Sequence, residues 1–321
     1  MIRAAAPLLL SLLLGAAACT PARPPSAVVH SVERADHAAA CRRAQLAVQI
    51  LGSGGPIAES DGRASTGYAI WVSGRVRALV DLGPGTMHAY GASGADPADL
   101  DVVLLSHLHV DHSSDLAALL KSASFGSRER ELRLFGPTGD GAFPATTEFV
   151  RHLLSPGGYM YLDGYLGEGQ PFVLRPRDVS IDSAPLDVFE SERLSVRAVG
   201  VPHGPVPALG FVIRAGDATL AFTGDQRLDA QSFVDLVEDA DLLVAHMAIP
   251  EGAEGPAAEL HAPPSRIGEV AAEARVGRLV LSHLMRRALD DLDGSLAQIR
   301  GRYAGPVQVA DDGVCVVVRP R

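Results

Sequence analysis

The chain has 321 residues, of which 47% are apolar and 5% aromatic, so it can build one large domain or two small ones around an aliphatic core. Acidic residues outnumber basic ones, 38 against 28, and no basic stripe is visible. A protein that binds a polyanion usually shows the opposite charge balance. We therefore expect a small-molecule substrate and no nucleic-acid partner.

The first residues have the pattern of an export signal. Arg3 precedes an apolar run at residues 4–14, and small residues at 15–18 follow it like a cleavage site. The apolar run is too short for a convincing membrane span. Cys19 comes next and resembles the cleavage box of a bacterial lipoprotein, although Ala16 stands where leucine is commoner.

These features predict three segments. Residues 1–18 are expected to be a signal peptide, residues 19–43 a proline-containing tether, and residues 44–321 the folded domain. The predicted location is the bacterial envelope, with the protein either anchored through a lipid on Cys19 or soluble in the periplasm. Membrane contact is expected only through that anchor.

Two further cysteines, Cys41 and Cys315, lie away from every ligand-like motif, so metal binding by them is not expected. In an oxidising compartment they could form a disulfide that joins the start of the domain to its last strand. The alternative is two separate buried thiols.

The early part of the domain predicts three strands, at residues 45–51, 66–72 and 78–82. The first strand runs into Gly52-Ser53-Gly54-Gly55-Pro56. No helix with a lysine follows this glycine run, so it is a weak candidate for a phosphate-binding loop. It is an ordinary turn beside a cleft.

The most informative segment is residues 106–112, Ser-His-Leu-His-Val-Asp-His. An apolar stretch of buried-strand type, residues 101–105, precedes it, and helix-capping residues 113–115 followed by a helix at 116–123 come after it. Imidazole and carboxylate are ligands that Zn²⁺ prefers. The pattern predicts a metal site; a solvated histidine-rich turn is the alternative.

Further along, the pattern predicts a strand at 132–135 and a helix at 146–154. The segment 155–170 contains three of the six tyrosines, Tyr159, Tyr161 and Tyr165, together with several glycines. Such a loop could be a substrate lid, or an ordinary packed surface loop.

Three later polar residues, His203, Asp225 and His283, each follow an apolar strand pattern. Leu-Ser-His-Leu occurs twice, at 105–108 and 281–284, each time at the end of such a strand, which suggests two related half-domains. Together with His-x-His-x-Asp-His at 107–112, these residues make the chain resemble the metallo-β-lactamase superfamily over about residues 46–318.

That resemblance implies an α/β fold, the αββα sandwich, with two mixed sheets back to back and helices on the outer faces. It also implies a site for two zinc ions, with Mn²⁺ or Fe as alternatives because carboxylates join the histidines. By this resemblance one metal would be held by His107, His109 and His203. The other would be held by Asp111, His112 and His283, and Asp225 would bridge the two metals.

Within the superfamily the chain is most similar to the tRNase Z-like branch, through Gly-Ser-Gly-Gly-Pro at 52–56 and Thr-Gly-Asp at 223–225. That branch carries a tRNA-gripping arm between the positions of His203 and Asp225. Here only 22 residues separate them, and two strands, at 209–214 and 219–222, fill the interval. The arm is therefore expected to be absent, which we read as evidence against tRNA as the substrate.

The same branch has a histidine-containing segment before its last ligand. It corresponds here to residues 245–248, where Met247 after His246 replaces an acidic residue usual in the branch, and to residues 260–263, which contain His261. His261 could protonate a leaving group, with Glu254 or Glu259 orienting it; a helix-capping role is the alternative. His246 is a weaker candidate for the site.

The resulting expectation is an exported binuclear zinc hydrolase that acts on a phosphodiester or another small ester. Asp111 would orient the attacking water and accept its proton, and His261 would assist the leaving group. Two alternatives remain open: a β-lactam or lactone hydrolase of the envelope, and a non-catalytic surface-anchored protein with a vestigial metal site. The oligomeric state is open, with a homodimer as one option.

Overall fold

The computed structural model describes residues 39–321. The predicted signal peptide, Cys19 and residues 20–38 of the predicted tether lie outside this range. Residues 39–43 form a short helix, α1. No helix in the described part of the chain is long and apolar enough to cross a membrane.

The described residues form fourteen strands arranged in two seven-stranded sheets. Their bounds are β1 Leu46–Gly52, β2 Gly67–Val72, β3 Arg75–Leu82, β4 Val102–Leu104, β5 Leu132–Pro137, β6 Leu174–Val179, β7 Leu186–Glu190, β8 Ser195–Val201, β9 Ala208–Ala215, β10 Ala218–Phe222, β11 Leu242–His246, β12 Leu279–Ser282, β13 Val307–Val309 and β14 Cys315–Val317.

The helices lie between these strands. Their bounds are α2 Thr86–Ser93, α3 Val110–Ser113, α4 Leu116–Ser124, α5 Thr146–Leu154, α6 Gln231–Leu236, α7 Pro256–Leu260, α8 Pro264–Glu273, α9 Arg286–Leu289 and α10 Leu292–Arg300, with 3₁₀ turns at Pro97–Asp99 and Met160–Leu166.

The two sheets share one plan. The first has the order β14-β1-β2-β3-β4-β5-β6 and the second β13-β12-β11-β10-β9-β8-β7. Each begins with an antiparallel meander, β1-β2-β3 or β7-β8-β9-β10, and continues with three parallel pairings. The exception is β14, the last strand of the chain, which returns to pair antiparallel with β1.

The core has three layers, as an αββα sandwich requires. Between the sheets, Ile50 and Tyr68 pack in one cluster with Phe211 and Phe222, and all four are at most 1% exposed. Separate clusters join the outer face of the first sheet to α2, α4 and α5, and the outer face of the second to α6, α8 and α10. The predicted fold class is confirmed. Burial of each large side chain stabilises the fold by roughly 1.5–3 kcal/mol.

Cys41 of α1 and Cys315 of β14 form a disulfide across 274 residues of sequence, with 5.8 Å between their Cα atoms. Cys41 belongs to the cluster on the outer face of the first sheet, and the partly buried Cys315 packs against it. Of the two arrangements that the sequence left open, the structure has the disulfide. The bond fixes the N-terminal helix to the end of the chain.

Candidate metal centre

The candidate centre lies where several strands end at one edge of the sandwich. In the second sheet, β8, β10, β11 and β12 run in the same direction. Because parallel strands present their carboxyl ends at one edge, the residues that follow them meet there. These are His203 after β8, Asp225 after β10, His246 at the end of β11 and His283 after β12.

The first sheet contributes the segment between β4 and α4. His107 follows the strand, and α3 carries Asp111 and His112 on its buried side. Capping of α4 differs from the prediction. Asp115 stands at the N-cap position without capping the helix, because its carboxylate accepts a hydrogen bond from the Met87 backbone N–H at 2.9 Å instead.

The seven predicted ligands come together in space. His107, His109 and His203 form one group whose ligand atoms lie within 4.8 Å of one another, and Asp111, His112 and His283 form another. Within the first, Nε2 of His107 is 2.9 Å from Nδ1 of His109. Within the second, Oδ2 of Asp111 is 3.4 Å from Nε2 of His112 and 3.3 Å from Nε2 of His283.

Asp225 lies between the two groups. Its Oδ2 is 3.9 Å from Nε2 of both His107 and His203 in the first group. The same oxygen is 3.6 Å from Nε2 of His112 and 3.3 Å from Nε2 of His283 in the second. One carboxylate oxygen therefore faces nitrogen atoms of both groups, which is the position of a ligand shared by two cations.

The donor set fits metal cations. Nε2 of His112 and of His203 is buried without a hydrogen-bond partner in residues 39–321, although each faces the centre. His203 is oriented by its other nitrogen, since Nδ1 donates to the Leu260 carbonyl at 3.0 Å. A ligating histidine is typically held in this way.

The electrostatics of the buried side chains also favour a bound cation. Burial opposes ionisation of Asp225, but the neighbouring His283 and His112 outweigh it and hold its pKa well below the usual range. Burial also opposes charge on His112, but Asp81 and Asp225 raise the pKa of His112 well above its usual value. Burial keeps the pKa of His107 well below normal. Buried carboxylates therefore give the centre a negative potential that stabilises a cation.

Asp81, at the end of β3, is a site residue that sequence reasoning missed. It is 1% exposed, and its Oδ2 is 2.8 Å from Nδ1 of His112. Ser106 donates to the same carboxylate through its backbone N–H and its hydroxyl, both at 2.7 Å. Asp81 also has a positive φ of 57°, a conformation that costs a non-glycine residue energy. It fixes the orientation of His112.

His246 lies behind Asp225, away from the pocket. Its Nδ1 is 2.7 Å from Oδ1 of Asp225, and its Nε2 is 2.9 Å from the Tyr68 hydroxyl. The Tyr68 hydroxyl is also 2.9 Å from Oγ of Ser282. Because an ionised Asp225 only accepts, Nδ1 of a neutral His246 must donate and Nε2 must accept from Tyr68. The Tyr68 hydroxyl, which also contacts Ser282, thus belongs to a chain of hydrogen bonds that reaches Asp225 through His246.

The open side of the centre is a cleft of about 420 Å³. His261 lines it, with Nδ1 3.9 Å from Oδ2 of Asp225. In residues 39–321 this nitrogen has no hydrogen-bond partner, so neither Glu254 nor Glu259 orients it. Met247, in place of the acidic residue, is fully buried. Burial lowers the pKa of His261 to about 3, against an opposing effect of Asp225.

Among the described residues that line this cleft, Arg287 is the only arginine or lysine. Its Nε donates to the Ala248 carbonyl at 2.9 Å, and its Nη2 lies 3.1 Å from Sδ of Met285. These contacts hold the guanidinium group at the wall of the cleft. Sequence reasoning missed it, since an arginine in a surface helix carries no distinctive signal.

The tyrosine-rich segment does not line the cleft. Met160–Leu166 forms a 3₁₀ turn in contact with α4 and α5, with Leu162 and Tyr165 buried. Tyr159, Met160 and Tyr161 are 47–62% exposed. Of the two readings, the structure agrees with a packed surface loop.

Comparison with known proteins decides the family. A family model described as the metallo-beta-lactamase superfamily matches residues 61–282. The chain belongs to this superfamily, and it is a metal-dependent hydrolase. A ribonuclease Z from Mycobacterium sp. (strain KMS) is 30% identical over 256 residues, which cover 75% of this chain and 84% of the relative.

Two further matches agree. A ribonuclease Z from Methanothermobacter thermautotrophicus is 27% identical over 278 residues, covering 75% of this chain and 87% of the relative. The crystal structure of human tRNase Z, short form, has a TM-score of 0.66 and 20% identity, covering 85% of this chain and 99% of that one. Within the superfamily, this chain is thus similar to the tRNase Z-like branch, as its motifs predicted.

These relatives correct two expectations. The prediction of an exported hydrolase of a phosphodiester or another small ester was wrong as made, because the curated relatives are named ribonuclease Z, a name that indicates a phosphodiester in RNA. The prediction of no nucleic-acid partner was wrong for the same reason. The β-lactam or lactone hydrolase and the vestigial binding protein find no support there either. The interval between His203 and Asp225 does hold only β9, a turn and β10, without an arm.

Proposed function

We propose that this protein is a zinc-dependent ribonuclease that hydrolyses a phosphodiester bond in RNA. The observation that carries the proposal is the position of Oδ2 of Asp225, within 3.9 Å of histidine nitrogens from both ligand groups. The substrate class comes from the names of the relatives, since the chain matches most of the length of each of these relatives.

In this proposal His107, His109 and His203 would hold one zinc ion, Asp111, His112 and His283 would hold the other, and Asp225 would be a ligand for both. Two zinc ions in such a site supply a water of lowered pKa and positive charge for the phosphate oxygens. The histidine-rich donor set favours zinc over Mn²⁺ or Fe.

The remaining chemistry falls to the side chains around the cleft. Asp111 accepts the proton of the attacking water. Arg287 contacts a non-bridging oxygen of the phosphate, because a guanidinium group suits that geometry and is always charged. A phosphodiester, unlike a neutral ester, carries the negative charge that this arginine complements.

His261 donates a proton to the leaving oxygen. Its low pKa of about 3 belongs to an imidazole that is buried beside other histidines. A bound phosphodiester anion next to it favours the imidazolium form and raises that pKa. The protonated fraction of His261 at a given pH therefore increases when the substrate is bound.

The test is cleavage of a 5′-labelled tRNA precursor with a 3′ extension, and of a generic single-stranded RNA, by the zinc-loaded protein. We expect a shortened RNA from at least one of them, no product in EDTA, and no product with Asp111→Asn. Asp187→Asn, at a side chain that is 91% exposed, is the matched control and should stay active. Intact RNA after incubation with folded, zinc-loaded protein would overturn the proposal.

A further inference from the structure

A second cavity lies next to the metal cleft. It has a volume of about 560 Å³, within the range of small-molecule sites. Pro56 lines both this cavity and the cleft. Helix α2 forms its far wall through Ala89 and Ala92.

Only one layer of backbone separates the cavity from the metal centre. Ser65 lines the cavity, and its hydroxyl donates to the Gly55 carbonyl at 2.9 Å. On the other side of Gly55 is the centre, because a Cβ at this glycine would come within 2.9 Å of Cε1 of His283. A molecule with a reacting group at the centre can therefore reach the cavity past Pro56.

The cavity combines apolar walls with free hydrogen-bond donors. Nη2 of Arg63 is buried and has no hydrogen-bond partner in the described part of the chain. Gln49 is 4% exposed, and its Nε2 makes only a long contact of 3.3 Å to the Gly313 carbonyl. The apolar part of the wall comes from prolines and alanines: Pro56, Ala58, Ala64, Pro84, Ala89 and Ala92.

The charge balance selects the kind of ligand. Nε of Arg63 lies 3.0 Å from Oδ2 of Asp61, so its positive charge is already compensated. Asp312, also in the wall, accepts hydrogen bonds from Ser53 and Ala64 with its two oxygens. The cavity thus offers donors without excess positive charge. It suits a neutral group with oxygen or nitrogen acceptors better than a phosphate.

We propose that this cavity binds the nucleobase of a nucleotide that adjoins the scissile phosphate, with a base carbonyl or ring nitrogen accepting from Arg63. The inference rests on the proposed ribonuclease function. A base is planar, largely apolar on its faces and rich in acceptors at its edges, which matches alanine and proline walls with donors at one side. Without an arm, a subsite on the body of the domain is where base contacts would be made.

Binding can be measured through the single tryptophan of the chain, Trp71, whose Nε1 donates to Oε1 of Gln49 at 3.0 Å. Uridine is the probe, titrated into zinc-loaded protein. Ala92→Phe fills the cavity from an exposed helix position. Gly91→Phe is the matched control, because Gly91 is exposed on the same helix and a Cβ there meets nothing within 4 Å. We expect uridine to change the tryptophan emission in wild type and in Gly91→Phe, but not in Ala92→Phe.

Kinetics give the second readout. The ratio of kcat/KM for RNA to kcat/KM for bis(p-nitrophenyl) phosphate, which has no nucleobase, should fall about tenfold in Ala92→Phe relative to Gly91→Phe, the value of about one lost hydrogen bond with a charged group. Equal uridine binding by the two variants, or an unchanged ratio, overturns the inference. Displacement of uridine by inorganic phosphate also overturns it, since the cavity would then be an anion site.

The two proposals fail separately. If uridine binds wild type and not Ala92→Phe but no RNA is cleaved, the base-binding cavity stands and the ribonuclease function falls. If RNA is cleaved while uridine leaves the emission unchanged, the ribonuclease function stands and the cavity proposal falls.

Discussion

Nδ1 of His246 lies 2.7 Å from Oδ1 of Asp225, while the other oxygen of that carboxylate faces the histidines of both ligand groups. The two oxygens of one side chain thus have different tasks: one is held by the protein, the other is directed at the centre. A carboxylate fixed in this way does not need to reorganise when cations bind, which favours affinity.

The central position of Asp225 predicts the metal content. We expect close to two zinc equivalents per chain in wild type, measured by elemental analysis after dialysis. Asp225→Ala should lose metal from both groups, whereas His283→Ala should lose mainly one equivalent. Asp187→Ala is the exposed control and should keep both. One equivalent in a fully active wild type would contradict the two-metal proposal.

Asp81 predicts a loss of affinity without loss of a ligand. Asp81→Asn should weaken zinc binding by about 10- to 100-fold, because His112 loses the carboxylate that orients it. Competition with a chromogenic chelator measures the change. A variant that binds zinc as tightly as wild type would show that Asp81 acts only on folding, and thermal unfolding of the metal-free protein separates these outcomes.

Tyr68 and Tyr90 allow a matched test of the hydrogen bonds that connect Tyr68, His246 and Asp225. Tyr68→Phe leaves a buried acceptor on His246 unsatisfied, so we expect the free energy of unfolding to fall by about 1–3 kcal/mol. Tyr90 is also buried, but its hydroxyl has no partner in the described residues, so Tyr90→Phe should cost little. Urea unfolding of both variants checks this. Equal losses of unfolding free energy in the two variants would mean that the hydrogen bonds of the Tyr68 hydroxyl add nothing to stability.

His261→Ala should separate substrates by their leaving groups. Loss of a general acid lowers the rate by of order 10²–10⁴-fold when the leaving group is the alkoxide of an RNA. Bis(p-nitrophenyl) phosphate releases nitrophenolate, which needs no protonation to leave, so its rate of hydrolysis should fall little. Steady-state kinetics on both substrates test the assignment. Equal losses would indicate a structural or metal-binding role, and no loss on either would place His261 outside the reaction.

The disulfide predicts a reductant-sensitive stability. Replacing Cys41 and Cys315 together by serine should lower the free energy of unfolding by about 2–5 kcal/mol, as removal of a native disulfide commonly does. Excess dithiothreitol should lower the Tm of wild type and leave the double variant unchanged. Identical melting of all samples would show that the bond contributes nothing to stability.

The sequence predicted the parts of the centre that are local or occur at strand ends. His107, His109, Asp111 and His112 stand within six residues, so their grouping is visible in the chain itself. The fold class and the helix at 146–154 also agree with the structure.

The interactions that sequence reasoning missed are long-range. Asp81 reaches His112 across 31 residues, and Tyr68 reaches His246 across 178, and an isolated aspartate or tyrosine has no pattern that reveals such a partner. The nucleic-acid prediction failed for a related reason. Net charge averages the whole surface, whereas a phosphate group meets only the local field of a cleft such as that around Arg287.

The return of β14 to the first sheet has a consequence for biosynthesis. Asp312, in the turn before that strand, holds Ser53 and Ala64, and β14 pairs with β1. The glycine-rich loop beside His283 is therefore secured by a residue that follows every proposed metal ligand in the sequence. The loop therefore cannot take its final position beside the centre until β14 has been synthesised and has paired with β1.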